Sequence, residues 1–435
     1  MCALARYAKN CGFNVSGSDA ERNERTEQLR LEGVEIYLGH DEKNVKDVDW
    51  LVYSSAIPKS NPEIRKALAT GIKVFTRAEF LALITSGFKI SVAISGSHGK
   101  TTTTAMIADG LIADGKEPTV FLGGESEKYG NLLIGSKDYA VYEACEYKGS
   151  FLSCHPKIAL CTNIDDDHLD YYKTMDAEEE AFKKFLSPTL AVINADDQRL
   201  KNMNLSTSVG FGIHNGAYRA KRVKEHDDKT TSFTVVKNGI KKCRINLSVI
   251  GRHNLYNALG AYAVLDLLGV KQKNIKRALE SFTGIKRRME YVGTLGDMCC
   301  YADYAHHPTE IRSTLNAYLK GENSVVVFQP HTYSRTKLLM SEFVETFKGI
   351  SDLIIYATYP ARETFDASAC AYRLYSEIKK KNSCVEYAST PRELFTMVMQ
   401  NYPLCKRVIF LGAGDVYELV KSKTQANSQK TPKKP

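Results

Sequence analysis

The residues best placed to do chemistry are Gly96, Ser97, His98, Gly99, Lys100, Thr101 and Thr102, within the run SVAISGSHGKTTTTAM from Ser91 to Met106. A β-prone run (Val92, Ala93, Ile94) leads to the first glycine, and an Ala/Met/Ile run after the threonines reads as the start of a helix. Strand, glycine loop, Lys-Thr and helix N-terminus together make a phosphate cradle. Glycines let backbone N–H groups approach phosphate oxygens, Lys100 brings a point charge, and the Thr101 hydroxyl is suited to hold Mg²⁺. Position 94 is Ile, so the run has the shorter form G-x-x-G-K-T-T rather than GxxxxGK[ST].

Further groups lie at the ends of strand-like runs. Glu143 follows Tyr139-Ala-Val-Tyr142, and His168 closes Asn163-Ile-Asp-Asp-Asp-His168. A carboxylate and an imidazole form a plausible donor pair for a divalent metal, whereas the acidic run alone equally describes a solvated turn. His253, Asn254 and Asn257 fall at a helix start, His253 and Asn257 one turn apart on one face. An Asn there reads a base edge or caps the helix. Arg287 and Arg288 end a helix-like segment, where basic residues are ordinary but where phosphoryl transfer would also recruit them. Asp303-Tyr-Ala-His-His-Pro308 follows a strand. Its Asp303 can hold ribose hydroxyls and its His306 can reach phosphate. His331 and Arg335 follow the strand that ends Phe328-Gln329.

The elements that must position these groups read as α/β throughout. Residues 1 to 87 alternate helix and strand, with a helix over Met1 to Asn10 and strands at Phe13–Val15, Val34–Tyr37, Trp50–Ser54 and Lys73–Phe75. The pattern begins on a helix, so the first strand and glycine turn of a Rossmann-like unit are expected to be missing. Residues 88 to 290 carry the phosphate loop, with strands ending at Glu143, Asn163 and Asn194. Residues 217 to 250 read as antiparallel strands turning at Asn238-Gly239. Residues 291 to 420 form a third alternation, with strands at 298–303, 324–329, 352–357, 384–387 and 407–411. Residues 421 to 435 read as a disordered basic tail.

Composition sets broad limits. The 435 residues suggest about three domains, and 43% hydrophobic content supplies a sizeable core. No apolar run is long enough for a membrane span, and no signal-peptide pattern opens the chain, so a soluble cytoplasmic protein is expected. The 11 cysteines have no metal-finger spacing, which fits reduced thiols. Net charge is +9, but no aromatic-basic interleaving points to nucleic acid.

Taken together, SGSHGKTTTT, YEACE, NIDDDHLD, GRHNLYNA, TGIKRRME, DYAHHPTE, FQPHTYSRTK and LGAGD resemble the Mur ligases in type and order, from Met1 to about Leu419. The last motifs resemble the alanine-adding branch of that family. The resemblance implies three domains: a Rossmann-like UDP-sugar domain, a central P-loop ATPase domain and a Rossmann-like amino-acid domain. It implies ATP and Mg²⁺, with UDP-N-acetylmuramate and L-alanine as substrates, no nucleic acid or membrane insertion, and a monomer or weak homo-oligomer. The lactyl carboxylate would be phosphorylated by ATP, and the amine of alanine would displace the phosphate.

By the same resemblance Lys100, Arg288, His306 and Arg335 serve the transferred phosphoryl group, and Thr101, Glu143 and His168 serve the metals. His253, Asn257 and Asp303 contact the nucleoside. Ser18, Asp19, Ser55 and Ala56 lie in loops that face the UDP-sugar. His331 and Arg335 reach the alanine carboxylate. Thr332 stands where many relatives carry Arg, and Phe182 where some carry a carbamylated lysine. A ligase that recycles murein peptides and a nucleotide-binding protein without catalysis are the competing readings.

Overall fold

The computed structural model describes residues 1–166, 169–226, 230–319 and 323–428. The chain divides into two compact units, one comprising Met1–Val249 with Asn254–Thr283, the other Ile250–His253 with Gly284–Pro435.

The first unit is built on a ten-stranded sheet. Its centre is parallel: Ile90–Ser95 lies between Tyr139–Glu143 and Ile158–Cys161, with Leu190–Asn194 and Ser208–Gly212 beyond. Ile90–Ser95 has neighbouring strands on both edges, and Ser91 to Ser95 are buried in succession rather than in alternation, with Val92, Ala93 and Ile94 as their apolar centre. The sheet ends in the antiparallel strands Tyr218–Glu225, Thr231–Lys237 and Ile240–Leu247. As expected, Asn238 and Gly239 make the last turn, with φ of 47° and 83°. Positive φ at both positions matches a tight hairpin to the right-handed twist of its strands.

Residues 1–87 add four short strands in two parallel pairs, Ser16–Asp19 with Glu35–Leu38 and Trp50–Tyr53 with Lys73–Thr76. Each pair is a separate two-stranded sheet. In a dinucleotide-binding order these are the pairs that meet only through the first strand. The helix Cys2–Asn10 buries Leu4, Tyr7 and Ala8, an i, i+3, i+4 stripe. Tyr7 meets Phe121 of the large sheet at 5.3 Å between ring centroids.

One expected strand is displaced. Phe13–Val15 is not a strand; Ser16–Asp19, read as a loop, is, because its backbone pairs with Glu35–Leu38. Phe13 instead leans on Trp50 at 5.5 Å.

The second unit is a six-stranded sheet in the order Glu290–Leu295, Met298–Asp303, Arg407–Leu411, Ser324–Phe328, Leu353–Tyr356, Val385–Ala388. All ladders are parallel except the first. Five of the strands lie where the sequence places them; Glu290–Leu295 is additional. It pairs with Met298–Asp303, and its Gly293 lies so close to Thr424 that a Cβ there would sit 2.7 Å from the threonine Cβ.

The expected disordered tail is corrected over its first part. The helix Val416–Ser428 continues through it, because buried Thr424 donates its hydroxyl to Val292 O at 2.6 Å. Residues 429–435 lie outside the described residues.

Candidate active site

In the first unit the loop after Ile90–Ser95 turns through Gly96 at φ 115° and Gly99 at φ 87° into the helix Lys100–Ala113. Both glycines are required for space as well as for conformation. A Cβ on Gly96 would land on Thr162 Oγ1, and one on Gly99 on Asn257 Oδ1. The loop is latched to the segment after Ile158–Cys161: Ser97 N donates to Asn163 O at 3.1 Å, and His98 N to Asn163 Oδ1 at 2.9 Å. Asp165 N donates to Ser97 Oγ at 2.8 Å, and the His98 ring lies 3.2 Å from Asp165 Oδ2. Thr101 and Thr102 are buried in the first helical turn.

Lys100 folds back over this loop. Its ammonium donates to Ser97 O at 3.1 Å and to Glu146 Oε1 and Oε2 at 2.8 and 3.0 Å. The Glu146 residue is 0% exposed. Such a bidentate, charge-assisted pair fixes the lysine head beside the loop. Glu146 was not among the expected site residues; its signal was the second Glu of YEACE. The expected Glu143 has a different partner, accepting from Gly123 N at 2.5 Å. His168, its expected companion, lies outside the described residues. Asn257 is buried against Gly99, so one expected nucleoside contact does adjoin the loop.

The expected sugar-side residues lie elsewhere in this unit. Ser18 is on a strand rather than in a loop, and its hydroxyl donates to Glu63 Oε2 at 2.7 Å and lies 3.1 Å from His40 Nδ1. Asp19 ends the same strand and accepts from Glu21 N at 3.3 Å. Ser55 and Ala56 sit in the turn after Trp50–Tyr53, where Ser55 O accepts from Lys148 Nζ at 3.2 Å. His40 and Glu63 carry no sequence signal of their own, since only the fold brings them to Ser18.

The second unit assembles its own group. Arg288 Nη1 is 3.5 Å from Glu310 Oε1, and His306 N donates to Glu310 Oε2 at 3.1 Å. The His306 and His331 rings are 5.9 Å apart, and Arg335 Nη1 lies 3.3 Å from His331 Nδ1. Burial, then His306 and Arg335, push the His331 pKa down to about 4, so its ring is neutral at pH 7. The structure thus joins Arg288, His306, His331 and Arg335, with Glu310 as an unexpected bridge.

Asp303 lies nearby, 7% exposed, and accepts from Met289 N at 3.0 Å and Ala305 N at 2.7 Å. Both oxygens therefore brace the backbone around the strand end, and burial raises the Asp303 pKa. His253 belongs to this unit, with Nδ1 2.8 Å from Ser313 Oγ.

Known proteins resemble this chain along its length. The Mur ligase family catalytic-domain model matches residues 1–89, the Mur ligase middle-domain model residues 94–265, and the Mur ligase glutamate-ligase-domain model residues 287–414. The chain is 39% identical to the UDP-N-acetylmuramate–L-alanine ligase of Clostridium acetobutylicum, over 96% of this chain and 94% of that one. It is also 39% identical to the Acetivibrio thermocellus protein of that name, over 96% and 92%. The crystal structure of UDP-N-acetylmuramate-alanine ligase from Thermotoga maritima superposes with a TM-score of 0.84 at 29% identity, covering 99% of this chain and 97% of that one. A murein peptide ligase from Psychrobacter arcticus shares the fold, with a TM-score of 0.73 at 22% identity over 98% and 96%. The architecture is the three-domain α/β fold of these proteins. With all three regions matched and curated relatives aligned almost end to end, the chain belongs to the Mur ligase family.

Proposed function

We propose that this chain joins L-alanine to the lactyl carboxylate of UDP-N-acetylmuramate, driven by ATP, in peptidoglycan precursor synthesis. The observation that carries this reading is the nearly full-length match to ligases of that name. The phosphate loop with its oriented Lys100 supplies the ATP site such a reaction needs.

The chemistry divides among the residues. A lactyl carboxylate oxygen attacks the γ-phosphorus of ATP, and ADP leaves. The amine of alanine then attacks the acyl carbon, loses a proton, and phosphate leaves. All the early participants are anionic, so the protein must hold like charges together. In this reading the loop N–H groups and Lys100 hold the β- and γ-phosphates, and Asn257 borders the adenine. Arg288 and His306 face the transferred phosphoryl group, and Arg335 with neutral His331 takes the alanine carboxylate. Residues 1–87 bind the UDP-sugar through Ser18, Asp19, Ser55 and Ala56; 88–290 bind ATP; and 291–420 bind alanine.

The Thr101 hydroxyl for a first Mg²⁺, and the Glu143 carboxylate with His168 for a second, are the donors this reading assigns, and the Gly123 N–H orients the carboxylate. Bound there, Mg²⁺ would withdraw charge from the phosphates. Among the described residues no helix is long and apolar enough to cross a membrane. We assign the reaction to the cytoplasm, performed by a monomer or weak homo-oligomer.

The test is phosphate release with ATP, Mg²⁺ and UDP-N-acetylmuramate, offering either L-alanine or the murein tripeptide. Release and amide product with L-alanine are expected. Product with tripeptide alone would assign the chain to peptide recycling. Phosphate release with neither would make it a nucleotide-binding protein without this activity.

A further inference from the structure

The loop after the strand Leu353–Tyr356 runs along the segment that carries His331 and Arg335, contacting it at successive points. Thr332 N donates to Tyr359 O and Tyr359 N to Pro330 O, both at 2.9 Å. The Tyr359 ring stacks on His331 at 5.5 Å. Further along, Phe365 packs against Tyr333 at 5.7 Å, and Lys337 Nζ donates to Asp366 Oδ2 at 3.2 Å.

Between these contacts sits Glu363. Its Oε2 accepts from Tyr333 N at 2.6 Å and Ser334 N at 3.0 Å, and its Oε1 accepts from the Ser334 hydroxyl. These N–H groups are the first of the helix Tyr333–Leu338 and have no partner within it. The carboxylate therefore closes the start of the helix from another part of the chain.

That closure falls beside a strained residue. Thr332, the helix N-cap, has φ 68° and ψ 147°, a conformation that only glycine adopts freely. It separates His331 from the turn that places Arg335. A backbone held this way persists only when its surroundings over-determine it. Here the surroundings are the two backbone bonds that tie Thr332 and Pro330 to Tyr359, and the carboxylate of Glu363. Without Glu363, the turn can relax toward ordinary φ, and Arg335 Nη1 moves from its place 3.3 Å from His331 Nδ1.

We propose that Glu363 is a positioning residue for the amino-acid substrate: it holds the strained Thr332 turn so that His331 and Arg335 present one site for the alanine carboxylate. The inference rests on the alanine-ligase reading above. It predicts a selective effect, because Glu363 braces the segment that carries His331 and Arg335, the amino-acid side of the chemistry in that reading.

The experiment measures steady-state KM for L-alanine, ATP and UDP-N-acetylmuramate in the full-length wild type, Glu363→Ala and Glu363→Gln, with far-ultraviolet circular dichroism as a folding control. Glu363→Ala is expected to raise KM for L-alanine about tenfold or more, with both other KM values within about twofold. Glu363→Gln keeps one oxygen for the two N–H groups and is expected to fall between it and the wild type. A folded Glu363→Ala or Glu363→Gln with wild-type KM for L-alanine overturns the proposal, as does an equal rise in all three constants. If Glu363→Ala does not fold, Glu363→Gln decides. A wild type with no alanine-dependent phosphate release overturns the functional reading itself, and this inference with it.

Discussion

Replacing Lys100 with Met should cost stability as well as activity, for a reason only the structure shows. The Lys100 side chain is 15% exposed and that of Glu146 1%, with 2.8 Å between Nζ and Oε1. Losing one partner of a buried pair typically costs about 3–5 kcal/mol. Protonation of the remaining carboxylate sets a ceiling. An ordinary glutamate titrates near 4.3, so neutralising one at pH 7 costs about 1.36 × 2.7, or about 3.7 kcal/mol. The expected loss is therefore about 3 kcal/mol at pH 7.

The sign of the pH dependence follows. In Lys100→Met the folded state holds a proton on Glu146 over a range where the unfolded chain has released it. Stability relative to wild type therefore falls as pH rises above about 4.3, and the deficit shrinks to about 1 kcal/mol at pH 5. Urea unfolding followed by the fluorescence of Trp50, the single tryptophan and a member of the first unit, measures it. Lys100→Met/Glu146→Gln should recover most of the stability while releasing no phosphate. An undiminished midpoint for Lys100→Met at pH 7, or a deficit that grows toward pH 5, would refute the reasoning.

Three further outcomes are expected. Gly99→Ala should raise KM for ATP about tenfold or more, since its φ of 87° and its contact with Asn257 leave no room for a methyl group; an unchanged KM would count against the loop's role. His331 is half-buried and neutral at pH 7, with a folded pKa of about 4 against an unfolded value near 6.5, so it withdraws stability as pH falls from 6.5 to 4. His331→Gln should flatten that part of the pH–stability curve, and an unaltered curve would remove His331 as its source. Thr424→Val should destabilise the second unit by about 1 kcal/mol through loss of the bond to Val292 O, and thermal unfolding that does not change would return the helix end to a passive tail.

Much of this protein was legible in one dimension. The phosphate loop was, because strand, glycines, Lys-Thr and helix are contiguous and the chemistry is local. The strands of the second sheet were, because buried parallel strands are unbroken apolar runs, as Val325–Phe328 and Val408–Leu411 show. The hairpin at Asn238-Gly239 was, because its conformation is set by two residues.

What the sequence left open depended on partners distant along the chain. Ser16–Asp19 is polar and loop-like until Glu35–Leu38 lies beside it. Glu290–Leu295 is a strand through its pairing with Met298–Asp303, and the final helix gains its anchor only from Val292. At the site the same limit applied. The chain itself offered Lys100, Arg288, His306, His331 and Arg335 as candidates by residue type and motif. Only the tertiary structure decided that the carboxylate answering Lys100 is Glu146, that Glu310 bridges Arg288 and His306, and that Glu363 braces the Thr332 turn. The physical reason is the range of the interactions. Propensity and turn geometry are written in neighbouring residues, whereas burial of a charge and the choice of its counter-ion are settled by packing.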